Sequence, residues 1–269
     1  MASQPWLLYA YPWMPYPRRI IIHLREKNIP SSLVTIVPVS DPQLGDSAAE
    51  GFPPRPKGSL PILAIPNSDS ADSKSESYIY IRQSLAIMNY LDELCDAGAQ
   101  GFPKSTYPMR GEDALSRARV TELMCLADEL TTAWNPVRTF GTGAGTMALP
   151  EASKEMLRWL QRTLTTIEGW FKNKDFSDLR AGGTRGPNMA EIVLYQFLEF
   201  TKDCFGKDMT KGSLNKGLDV YGREQAPDEF PKLAEFCEAF STRESAVRKE
   251  SAGEVAGEKT LKAMQTWNW

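Results

Sequence analysis

Residues 8–24 read LYAYPWMPYPRRIIIHL. The stretch opens apolar and aromatic, carries prolines at 12, 15 and 17, and closes on an apolar run headed by Arg18 and Arg19. Residues 6–10 (WLLYA) read as a short buried strand. The prolines withhold backbone donors and fix φ, which suits a corner followed by a first helical position. Residues 17–27 then read as a helix, stopped by Asn28-Ile29-Pro30. A strand, a stiff corner and a helix start are thus set side by side. The corner itself holds no serine or cysteine.

Working outward, residues 33–37 (LVTIV) read as a second strand. Residues 39–59 are rich in Pro, Gly, Ser and Asp and read as a loop with at most one short helix. Residues 61–65 (PILAI) and 78–81 (YIYI) read as two more strands, separated by the polar stretch 66–77. Residues 84–95 place Leu85, Ile87, Met88, Leu91 and Leu94 at helical spacing. The order is β-α-β, loop, β-β-α. From Met109 onward there is no convincing strand. Amphipathic patterns run over 110–134, 151–172, 188–205 and 230–248, with a Gly- and Lys-rich connection over 206–227. The expectation is an α/β domain over 1–97, a linker over 98–106 and an all-helical domain over 107–269. Within the helical part, Asn188 and Glu191 are spaced to cap a helix start reciprocally.

Bulk composition narrows the function. The chain has 269 residues, 42% hydrophobic and 24% charged, with a net charge of −3. This is a globular composition with a real core. It lacks the basic excess of a nucleic-acid binder, so no nucleic-acid partner is expected. No window approaches a membrane helix, and MASQPW lacks a signal-peptide layout, so the expected location is cytoplasmic. Cys95, Cys125, Cys204 and Cys237 form no CxxC pair, and His23 is the one histidine. No metal site is expected, and the thiols read as reduced and structural. A Ser-His-Asp or Cys-His catalytic set would need His23, which sits in an apolar helical run. TFGTGAGTMALP (139–150) lacks the GK[ST] ending and preceding strand of a phosphate loop.

Three stretches together carry a resemblance: LYAY…PYPRR at the start, GSLPIL over 58–63, and YIRQSLAIMNYLDEL over 80–94. With the Asn188–Glu191 cap, they resemble the glutathione transferase superfamily across essentially the whole chain. The resemblance implies a thioredoxin-like α/β N-terminal domain, an all-α C-terminal domain, and glutathione as the thiol cofactor. It implies a cis bond before Pro61 and a Leu60 backbone that pairs with the cysteine of glutathione, like a short added strand. Gln83 and Ser84 would hold the γ-glutamyl carboxylate at a helix N-terminus, and Lys57 would donate to the ligand backbone. The Gln-Ser pair is similar to the zeta class, the maleylacetoacetate isomerase type. Family members are usually dimers, which implies a homodimer.

At the family's thiol-stabilising position this chain has Met14, which donates no hydrogen bond. That departs from the omega type, which needs a cysteine there. Three replacements are open. Tyr11, Tyr16 or Tyr9 donates to the sulfur; helix-start N–H groups do so; or the thiolate is not stabilised and the protein only binds. Tyr11 is the first expectation, because it leaves the strand just before the corner. The resemblance implies thiolate addition to a small electrophilic conjugated alkene, ending in a conjugate or, if glutathione leaves again, in cis-trans isomerisation. Trp13, Met124, Trp134 and Arg138 are the expected acceptor contacts, with Trp267 and Trp269 closing over them. The alternative is a non-catalytic transferase-like interaction module.

Overall fold

The computed structural model describes residues 4–40, 45–67, 77–211 and 229–269. Most of the polar stretch 66–77 and of the connection 206–227 lies outside those residues. The chain divides into two compact units, one of residues 1–109 with 248–255, the other of 110–247 with 256–269.

The first unit runs β1 (Trp6–Ala10), α1 (Pro15–Glu26), β2 (Val34–Pro38), β3 (Ile62–Pro66), β4 (Tyr78–Arg82) and α2 (Ser84–Ala97). The strands form one sheet in the order β2-β1-β3-β4. β1 and β2 are parallel, with Trp6 opposite Val34, while β3 runs antiparallel to both β1 and β4. All five residues of β1 are buried, as an internal strand covered on both faces requires. β2 and β4 are the edge strands, and Ile79 of β4 is 54% exposed.

The start of the first helix shifts from its expected place. α1 begins at Pro15, two residues before the expected start, because a proline at the first helical position gives up only an N–H that has no intrahelical partner. Its Ile20, Ile21 and Ile22 are buried, as are Ile87, Met88 and Leu91 of α2. His23, Lys27 and Asp92 are also buried. Lys27 Nζ stands 2.6 Å from Asp92 Oδ1 and 2.7 Å from Ser105 Oγ, and His23 Nε2 is 3.7 Å from the same Asp92 oxygen. Burial pushes the His23 pKa down, with Asp92 opposing it. Burial alone would raise Asp92, but His23 and Lys27 beside it outweigh that and hold it at about 2.

The second unit contains α3 (Ala114–Gly141), α4 (Pro150–Phe171), α5 (Met189–Phe205), α6 (Pro231–Ser241) and α7 (Glu258–Gln265). α5 is buried along nearly its whole length, as expected of a helix that is apolar on every side. Its start carries the anticipated box: Glu191 N–H donates to Asn188 Oδ1 at 2.9 Å, and Asn188 N–H donates to Glu191 Oε2 at 2.9 Å. Arg185 adds two bonds to the Glu191 carboxylate, at 2.8 and 3.0 Å. α3 runs through Pro136 to Gly141, beyond the expected end at 134, with Trp134, Val137 and Gly141 all buried along its last turns. A Cβ on Gly141 would fall 2.3 Å from Ser153 Oγ and 2.8 Å from both Trp267 and Trp269, so glycine is the residue that lets these elements meet. Among the described residues no helix is long and apolar enough to cross a membrane.

Candidate functional site

The corner after β1 is closed by Met14 N–H donating to Tyr11 O at 3.0 Å. Met14 precedes α1 in extended geometry (φ −76°, ψ 154°), and its side chain makes no cap bond. Pro15 and Pro17 have no N–H, and the Arg18 N–H goes to Met14 O at 3.0 Å. The other N–H of that first turn belongs to Tyr16. The prolines that stiffen the corner therefore also thin out the anion-binding end of the helix.

A cavity of about 490 Å³ opens at this corner, lined by Tyr11, Met14, Tyr16, Asp46, Gly58 and Leu60 among others. Gly58 has φ +123°, a conformation that only glycine adopts readily. The Tyr11 hydroxyl donates to Asp46 Oδ1. Arg55 donates from Nη2 to the Asp46 carboxylate, from Nε to Asp46 O at 3.2 Å, and from Nη1 to Gly58 O at 2.9 Å. Arg55, then Tyr11, hold the Asp46 carboxyl below the usual range. The Tyr11 hydroxyl hydrogen is thus committed to an ionised carboxylate. Tyr9 turns away from this role: its hydroxyl donates to Pro53 O at 3.1 Å, and burial pushes its pKa up to about 12. Tyr16 lines the same cavity, with the Arg19 guanidinium 4.9 Å from its ring centroid. Neither Asp46 nor Arg55 was legible as a site residue. Both lie in a stretch read as a loop with at most one short helix, and Asp46 meets a tyrosine 35 positions away.

Leu60 lines the cavity, and its bond to Pro61 is cis. The β3 ladder begins one residue later, with Ile62 opposite Arg82. Leu60-Pro61 and Gln83-Ser84 therefore leave the sheet at the same end. Gln83 sits at φ 70°, ψ 118° and precedes α2, whose first residue, Ser84, is buried. No acidic residue occupies that first helical turn, so the positive end of the helix is not neutralised from within. Lys57 is exposed on the loop and is not among the residues lining the cavity.

Trp13 is half-buried at the corner. In the second unit Met124 is half-buried, and Arg138 Nε donates to Asn135 Oδ1 at 3.1 Å. Trp134 is 1% exposed and packs edge-on against Phe205, with Trp267 tilted over it. That makes Trp134 a core residue of its own unit rather than a pocket wall. The C-terminal tryptophans are likewise anchored. Trp267 Nε1 donates to Phe205 O at 2.9 Å, Trp269 Nε1 to Ser153 Oγ at 3.1 Å, and Lys207 lies over both rings. Among the described residues no group of His, Cys, Asp and Glu is arranged to hold a metal.

Residues 13–94 match the family model described as glutathione S-transferase, N-terminal domain. Solved structures with the same fold extend the likeness over nearly the whole chain. A glutathione transferase Omega 3C from Trametes versicolor is 17% identical, covering 96% of this chain and 92% of its own, with a TM-score of 0.58. A glutathione transferase family member from Pseudomonas fluorescens with bound glutathione is 19% identical, with 90% and 96% covered and a TM-score of 0.56. A maleylacetoacetate isomerase from Anaeromyxobacter dehalogenans with bound glutathione is 18% identical, with 94% and 96% covered and a TM-score of 0.54. No curated protein sequence matches the chain.

Proposed function

We propose that this protein, whose residues 13–94 match the glutathione S-transferase N-terminal domain model and whose fold is that of glutathione transferases, binds glutathione at the β1–α1 corner and uses its thiolate on a small, electron-poor conjugated alkene. The observation that carries the reading is the cavity bounded by Tyr11, Tyr16 and Leu60, with Leu60 two residues before the β3 ladder. Its volume falls in the range of small-ligand sites. Leu60 supplies backbone for the cysteinyl segment, and Ser84 with the α2 N-terminus supplies donors for the γ-glutamyl carboxylate. Gln83 is positioned beside it.

When bound, glutathione supplies the nucleophilic sulfur, and the protein's own part is to orient it and favour its anion. We assign Tyr16 the role of donor to the sulfur. Its phenol and its backbone N–H belong to the cavity wall and the first helical turn, whereas the Tyr11 hydroxyl is given to Asp46. Met14 and Trp13 form the apolar side facing the acceptor. Addition that persists yields a conjugate, and addition followed by bond rotation and loss of glutathione yields the isomerised alkene. Incubation with glutathione and a cis-configured conjugated dicarbonyl separates the two outcomes, since only conjugation consumes free thiol. The reading fails if neither the thiol nor the alkene geometry changes above the uncatalysed rate.

Met14 and the Tyr11–Asp46 bond favour a second reading, a non-catalytic glutathione-transferase-like interaction module. It predicts a bound thiol no more acidic than the free one. A cytoplasmic homodimer belongs to the first reading by family likeness, and light scattering on the purified chain tests the oligomer.

A further inference from the structure

Residues 248–255 belong to the first unit although they follow most of the helical one in sequence. Their attachment is built from charges. Glu254 is 1% exposed and accepts from Arg18 Nη1 at 2.8 Å, from Arg25 Nη2, and from the Lys249 N–H at 3.2 Å. Arg18 is itself fully buried. A buried carboxylate with two guanidinium partners is a fixed point, because without them its charge would stand uncompensated in low dielectric. Arg248 is then aimed at the corner. Its Nη1 donates to the Glu254 carbonyl at 2.8 Å and to the Trp13 carbonyl at 3.3 Å.

The Trp13 carbonyl and the Met14 N–H belong to one peptide group, planar and trans. Arg248 grips the oxygen end, and Tyr11 O takes the N–H end at 3.0 Å. Both ends of the plane are thereby pinned from opposite sides. The pinning sets where Met14 leaves the turn and where the next N–H, that of Tyr16, points.

We propose that Arg248 is a positioning residue for the candidate thiol site: the 248–255 segment, anchored through Glu254 on α1, orients the Trp13–Met14 peptide and so the corner that faces the sulfur. The inference rests on the proposed glutathione reading for its functional consequence, but not for its structural one. Arg248 is not among the residues that line the cavity.

The test compares Arg248→Ala and Arg248→Lys with the wild-type full chain, using hydrogen exchange of the peptide spanning residues 11–18 and calorimetric titration of glutathione. The expected result for Arg248→Ala is about tenfold faster exchange at the corner and about tenfold weaker glutathione binding, the scale of one charge-assisted hydrogen bond. Exchange in α5 stays unchanged. Arg248→Lys, which keeps the charge and donors, recovers most of both losses. Unchanged corner exchange in Arg248→Ala overturns the inference. So does acceleration spread evenly over both units, which would mark a general stability role. If the wild-type chain binds no glutathione, the proposed function falls, and the exchange result alone then decides whether Arg248 holds the corner.

Discussion

Replacing Tyr16 by Phe removes one phenol from the cavity wall and leaves the ring and the backbone in place. The corner has few substitutes for it. Met14 donates nothing, Pro15 and Pro17 lack N–H groups, the Arg18 N–H is bonded to Met14 O, and the Tyr11 hydroxyl is bonded to Asp46. A hydrogen bond to a charged acceptor contributes about 1.5–3 kcal/mol. At 1.36 kcal/mol per pKa unit, its loss raises the pKa of the bound thiol by about 1–2 units. Tyr11→Phe removes a donor that already points at Asp46, so it shifts the thiol by less than about half a unit. The assay is the ultraviolet absorbance of the thiolate, followed against pH for glutathione bound to each variant. A Tyr11→Phe shift equal to or larger than the Tyr16→Phe shift would refute the assignment. It would mean that Asp46 releases the Tyr11 hydroxyl when the ligand arrives.

Further outcomes follow from the surrounding structure. Asn188→Ala deletes one half of the α5 capping box and lowers stability by about 1 kcal/mol; Glu191→Ala, which removes the other half and two Arg185 bonds while Arg185 keeps Asp178, costs about 1.5–3 kcal/mol, both read from denaturant unfolding. Acid destabilises the first unit in two steps. The His23 pKa is depressed in the folded chain, so its contribution is present above the unfolded value near 6.5 and is lost as pH falls below it. Asp92 titrates at about 2 when folded and 3.8 when unfolded, so roughly 2 kcal/mol present above pH 3.8 is lost between those values. In His23→Gln the upper step disappears from a pH series of unfolding midpoints, and if it persists, another group is responsible.

The sequence was readable where burial and local chemistry coincide. β1 needed no tertiary knowledge, since five successive apolar residues between a polar start and a proline corner have one reading. The start of α5 was equally plain, because Asn188 and Glu191 satisfy each other within four residues. The end of α3 was harder. The amphipathic pattern was read to 134, yet the helix continues through Pro136 to Gly141, with Trp134, Val137 and Gly141 buried along it. α6 stops at Ser241 rather than 248, and the segment after it serves Arg18 and Arg25, more than two hundred positions earlier. No periodicity carries that information. The site divides the same way. Leu60, Gln83 and Ser84 stand at element junctions that a sequence displays. Asp46 and Arg55 acquire meaning only when a loop folds back onto Tyr11. Trp134 looked like a cleft aromatic but is enclosed by Phe205 and Trp267, a difference between core and pocket that spacing alone does not register.

The most direct test is a calorimetric titration of glutathione into the wild-type chain and into Ser84→Ala. The account predicts saturable one-site binding in the micromolar to millimolar range, weakened about tenfold by Ser84→Ala as one donor to the γ-glutamyl carboxylate is lost. Absence of binding to the wild-type chain, or binding indifferent to Ser84, would contradict it.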